Sequence, residues 1–116
     1  MNKFKCDCLV GVNKHKNIII ENNDNFFTFY IENKSFFKKE HFEKKDIESL
    51  SYSRSCQLVD IDILLISHRI SICVAGKTSV FYPYSFNDKE TAFSFYKFIF
   101  NNLNLESFNL IINKEN

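Results

Sequence analysis

The sequence predicts an α+β fold: a mostly antiparallel, curved sheet or open barrel of about seven or eight strands, closed by one C-terminal helix. Three observations predict it. Between Phe4 and Tyr84 the chain breaks into short apolar or alternating runs punctuated by clusters of Asn, Asp, Lys and Gly. Asp88 to Leu103, DKETAFSFYKFIFNNL, is the only long stretch whose apolar residues repeat with a helical period. Its apolar arc is roughly 220° wide, against the ~100° of an ordinary surface helix, so one sheet face cannot cover all of it.

The elements follow in order. A first strand is expected over Phe4–Val12, with a turn at Asn13–Lys16, and a second over Asn17–Glu21 around Ile18, Ile19 and Ile20. Asn22–Asn25 is a dense turn signal. Phe26–Ile31 is apolar or aromatic on both faces. Glu32–Lys34 reads as a turn, Ser35–Lys38 as a brief strand, and KKEHFEKKD at Lys38–Asp46 as a solvated loop of mixed charge. Ile47–Ser53 sets Leu50 and Tyr52 on one face and Ser49, Ser51 and Ser53 on the other. Gln57–Ser67 reads as one strand with Val59, Ile61, Ile63 and Leu65 inward, followed by a turn at Ser67–Arg69. Ile70, Ile72 and Val74 then alternate with small residues, and Ala75–Thr78 closes a hairpin to Val80, Tyr82 and Tyr84. Pro83 marks a strand end or a sheet edge.

The helix is expected at about 88–103. Asn87 and Glu90 form a capping-box pair at its start. Ala92, Phe95, Tyr96, Ile99 and Leu103 make the central stripe, flanked by Phe93 and Phe100 on one side and Phe98 on the other. Leu105–Ile112 carries enough apolar weight for a further short element. The strands at about 4–84 and the helix belong to a single domain spanning residues 1–116.

Composition narrows the function. The 116 residues are 45% hydrophobic with a formal charge of +1, so no global field gathers nucleic acid. Only Arg54 and Arg69 offer a guanidinium fork. No apolar run is long enough for a transmembrane helix, the N-terminus lacks a signal-peptide pattern, and peripheral membrane contact is not favoured. Cys6, Cys8, Cys56 and Cys73 then fit a reducing, cytoplasmic setting.

Chemistry finds little purchase. Cys6-Asp7-Cys8 places two thiols on one strand face, yet zinc knuckles use a different spacing and no second pair exists, so structural thiols are the better reading. No metal and no cofactor is expected. A nucleophile at Cys56 or Cys73 with His68 has no supporting motif, and Asp60 and Asp62 read as alternation on an exposed face. The expected activity is non-catalytic: binding a protein partner, or self-association, through aromatics that widen the helix and the third strand, namely Phe93, Phe98, Phe100 and Tyr30. The alternative is an anionic ligand, phosphoinositide or phosphopeptide, held by Lys14, Lys16 and Lys38. An enzyme of unknown class is the least supported reading.

The order of elements resembles the pleckstrin-homology-like superfold. The resemblance covers about Phe4 to Leu103. It is carried mainly by DIESLSYSRSCQLVDIDILLISHRISICVAG followed by SFNDKETAFSFYKFI: an I-x-x-L-x-Y strand, two long strands in a hairpin, and a helix opening on an acidic cap. The resemblance implies a scaffold in which a Phe takes the place of the usual aromatic near the helix centre. Lys14, His15 and Lys16 then fall where lipid-binding members keep a Lys-x-x-Lys/Arg cradle. A scaffold of this kind does not imply one function.

Overall fold

In a computed structural model of the chain, residues 2–9, 15–33 and 36–103 are described. They form seven strands and one helix: β1 Asn2–Leu9, β2 His15–Asn22, β3 Phe26–Asn33, β4 Phe36–Glu43, β5 Ile47–Asp60, β6 Ile63–Val74, β7 Val80–Phe86 and α1 Lys89–Asn101. A 3-10 turn at Lys44–Asp46 joins β4 to β5. All strand pairings are antiparallel, in the order β4-β3-β2-β1-β7-β6-β5. The strands fall into a group of four and a group of three, joined among the described residues by the register pair Leu9↔Ser85. Among the described residues the sheet is not closed, and β4 and β5 are its two edges. The arrangement is compatible with the pleckstrin-homology-like order.

The helix holds the halves together. Phe95, Ala92 and Ile99 are fully buried against Ile18, Ile20, Phe27 and Phe29 of the first group and Ile70, Ile72 and Phe86 of the second. The Phe95 ring lies 6.0 Å from Phe29, 6.3 Å from Phe4, 5.4 Å from Tyr84 and 4.9 Å from Phe86. Aromatic pairs at these separations add to the transfer energy of burying so large a side chain. The wide apolar arc of α1 thus serves two sheets at once.

Four expectations change on contact with the structure. Lys38–Glu43 is strand, not loop: Phe42 is 3% exposed and anchors β4 in the core, while an edge strand tolerates charge at the other positions. The hairpin turn sits at Ile61–Asp62, where Asp60 Oδ1 accepts the Ile61 amide at 2.7 Å, and Ser67–Arg69 is mid-strand. Ile61 and Ile63, expected inward, are therefore exposed. The helix N-cap is Asp88 instead of Asn87: its extended backbone turns the carboxylate onto Thr91. Glu32 and Asn33 extend β3.

Pro83 lies inside β7, in register with Ser71 of β6. The end of the expected first strand beyond Leu9, Lys14, Lys34, Ser35 and the element expected at 105–112 lie outside the described residues.

Candidate interaction surface

β5 and β6 run past the rest of their sheet. β6 pairs with β7 only from His68 to Val74, so Ile63–Ser67 and the facing Ser55–Asp60 project as a two-stranded arm. The register alternates the β5 side chains. Leu50 and Tyr52, opposite the buried Ile72 and Ile70, lie on the core side; Ser49, Ser51, Ser53 and Ser55 lie on the other. Along the core-side face the arm carries Cys56 opposite Ile66 and Leu58 opposite Leu64. Leu58, Ile61, Ile63 and Leu64 are 67%, 87%, 55% and 56% exposed. So much apolar area on a projecting element, with α1 packed elsewhere, is what an interaction surface offers and a stable monomer avoids.

The two free edges differ in chemistry. β4 carries Lys38, Lys39, Glu40 and Glu43, the charges that discourage a further strand from pairing. β5 has 14 residues with no lysine and no proline; its charges are Glu48, Arg54 and Asp60. Glu48 is turned aside: its Oε2 accepts from Cys73 Sγ at 3.6 Å and Ser79 Oγ at 3.2 Å. Burial and the Glu48 carboxylate push the Cys73 thiol above its ordinary range, which keeps it protonated and a donor.

Beside this edge runs an aromatic seam. The Tyr52 hydroxyl lies 2.7 Å from His68 Nδ1, with the rings stacked at 5.9 Å, and Phe93 of α1 sits 5.0 Å from Tyr52. Lys89 Nζ lies 5.6 Å from the Phe93 ring. A depression of about 420 Å³ continues the seam along α1 past Lys89, Glu90, Phe93, Ser94 and Lys97.

The residues singled out in the sequence scatter around this geometry. Phe93 is in the seam and half-buried. Phe98 stacks on Phe4 at 5.1 Å and Phe100 on Tyr96 at 6.1 Å, both half-buried beside the core. Tyr30 is on the outer face of the four-stranded group, 6.5 Å from Phe37 and 5.7 Å from Lys39 Nζ; its hydrogen bond to Glu21 raises the phenol above its ordinary range. These four residues do not form one patch. Of the lysines, Lys16 is 7% exposed on β2 and Lys38 faces Glu40 at 3.6 Å. The register puts both on the core side of the first group, two strands apart.

Among the described residues no three His, Cys, Asp or Glu side chains gather as a metal-binding group, and no helix is long and apolar enough to cross a membrane. Sequence reasoning missed the arm, because a turn set inside the apolar run VDIDILLI looks like strand throughout. The two aspartates flanking Ile61 were the available signal. No protein-family model, no curated protein and no solved structure matches the chain.

Proposed function

We propose that this chain is a non-catalytic interaction module, built on a pleckstrin-homology-like scaffold, that takes a protein partner as an added strand along β5 and against the Tyr52–Phe93 seam. The observation that carries the reading is the contrast between the edges: β4 is guarded by lysines, whereas β5 presents 14 residues free of lysine and proline and ends in an apolar arm. An added strand gains main-chain hydrogen bonds from such an edge, and side-chain pockets beside it supply selectivity. The seam offers aromatic surface at one point of that path. An anionic ligand held by Lys14, Lys16 and Lys38 has less support, since Lys16 is buried and Lys38 is ion-paired.

The test is a photo-reactive phenylalanine analogue placed at Ser53 on β5 or, as control, at Lys39 on β4, with irradiation in living cells. A discrete protein adduct from position 53 alone supports the reading. Absence of any adduct from 53, or equal yields from both positions, overturns it.

A further inference from the structure

We infer that the partner of the β5 edge is a second copy of this chain, paired antiparallel across a two-fold axis that passes through Ser53. The inference rests on the reading of β5 as a docking edge and adds the identity of the occupant.

The argument begins with register. Two copies of one strand related by a two-fold axis pair so that residue i meets residue j and residue j meets i, and opposed side chains share a face only when the axis falls on a residue. Bulges interrupt β5 between Ile47 and Ser49 and again between Leu58 and Asp60, leaving a regular stretch from Ser49 to Leu58. Only axes at Ser53 and Arg54 use nearly all of it. An axis at Arg54 sets two guanidinium groups directly opposite each other, which is destabilising.

An axis at Ser53 opposes Tyr52 to Arg54, Leu50 to Cys56, Ser51 to Ser55 and Ser49 to Gln57, each twice. Every one of these is a compatible pair: a cation beside an aromatic ring, two apolar side chains, and hydroxyl or amide pairs. Between Ser49 and Gln57 no like charges meet.

The ends of the stretch agree. Lys44 and Lys45 precede β5, and Asp60 and Asp62 stand at its far end. Antiparallel pairing about Ser53 brings the acidic turn of each copy to the Lys44–Asp46 turn of the other, where Lys45 is the exposed cation. Lys45 is 76% exposed, 3.6 Å from Glu43, and open to a second carboxylate. Lys44 Nζ lies 4.9 Å from the Phe27 ring, so Lys45 is the cation that reaches the turn. Of the other acidic groups on this path, Glu43 lies beside Lys45, Glu48 is turned to Cys73 and Ser79, and Asp46, which the same register sets opposite Asp60, is half-buried. The same geometry lays the arm, with Leu58, Ile61 and Leu64, along the partner copy's edge, joining β7-β6-β5 of both copies into one six-stranded sheet.

Light scattering on size-exclusion fractions of the whole chain tests this. The expected species is a dimer, at twice the chain mass of 13.8 kDa. Ser53→Lys, which opposes two ammonium groups on the axis, is expected to give a monomer with unchanged circular dichroism. In a background where Cys6, Cys8 and Cys56 are serine and buried Cys73 is retained, Ser53→Cys is expected to form a disulfide-linked dimer on mild oxidation, whereas Ser51→Cys is not. A monomer at every concentration up to hundreds of micromolar overturns the inference, as does cross-linking of Ser51→Cys as readily as Ser53→Cys. The photo-adduct separates the two levels. An adduct at twice the chain mass supports the second copy; an adduct of any other mass keeps the docking edge and overturns the second copy.

Discussion

Asp88 holds Thr91 twice: one carboxylate oxygen accepts the Thr91 amide at 2.7 Å and the other accepts its hydroxyl at 2.9 Å. These bonds, the amide first, hold the Asp88 carboxyl below its ordinary range, with a smaller contribution from His68. Asp88→Ala is expected to destabilise the fold by about 1 kcal/mol, the usual loss of an N-cap. Because the folded value is depressed, the contribution is present above the unfolded pKa and is lost as pH falls through the folded one. The stability gap between the parent and Asp88→Ala is therefore expected to hold at neutral pH and to close only below about pH 4. Urea titrations at a series of pH values check both size and direction.

Phe95 is the side chain on which both sheets converge. Phe95→Ala is expected to cost about 3–5 kcal/mol and to lower the urea midpoint more than any other truncation on α1. Phe98→Ala, at a half-buried site stacked on Phe4, is expected to cost about 1–2 kcal/mol. Equal losses at the two positions would contradict the central placement of Phe95.

The apolar arm is expected to tolerate what the core does not. In the Ser53→Lys background, where the β5 edge is unpaired, Ile61→Asn should change stability by no more than about 0.5 kcal/mol, since Ile61 is 87% exposed within one copy. Ile70→Ala, on the same strand pair but fully buried, should cost about 2–5 kcal/mol. Thermal unfolding of the two variants distinguishes an arm in water from a strand in the core.

A part-buried polar link joins the two strand groups. The Tyr84 hydroxyl donates to Glu40 Oε1 at 2.7 Å, and Lys38 lies 3.6 Å from the other carboxylate oxygen. Tyr84→Phe is expected to cost about 1–2 kcal/mol without loss of secondary structure. Glu40→Gln, which keeps an acceptor, is expected to cost less. Equilibrium unfolding measures the difference.

What the sequence could reveal followed from periodicity. The helix and its stripe of Ala92, Phe95 and Ile99 were legible because a 3.6-residue repeat survives tertiary packing, and Ile70 and Ile72 were legible through strict alternation. β4 was hidden because its lysines and glutamates serve as edge protection, a role that looks like a loop until the neighbouring strand is known. The arm was hidden because Leu58 to Leu64 is apolar without being buried, which hydropathy cannot separate from a core strand. Phe98 and Phe100 read as surface because the helix arc seemed wider than one sheet could cover. Phe4 stands against Phe98, and Phe100 stacks on Tyr96.

Because α1 follows all seven described strands, the ribosome delivers the element that fills the core after them. Until Phe95 emerges, Ile20, Phe29 and Ile72 have no helix to cover them. Nascent chains stalled before α1 are expected to be protease-sensitive and prone to aggregate, and to become resistant within a few residues of the helix clearing the exit tunnel. Synthesis thus has a commitment point, set by a single phenylalanine.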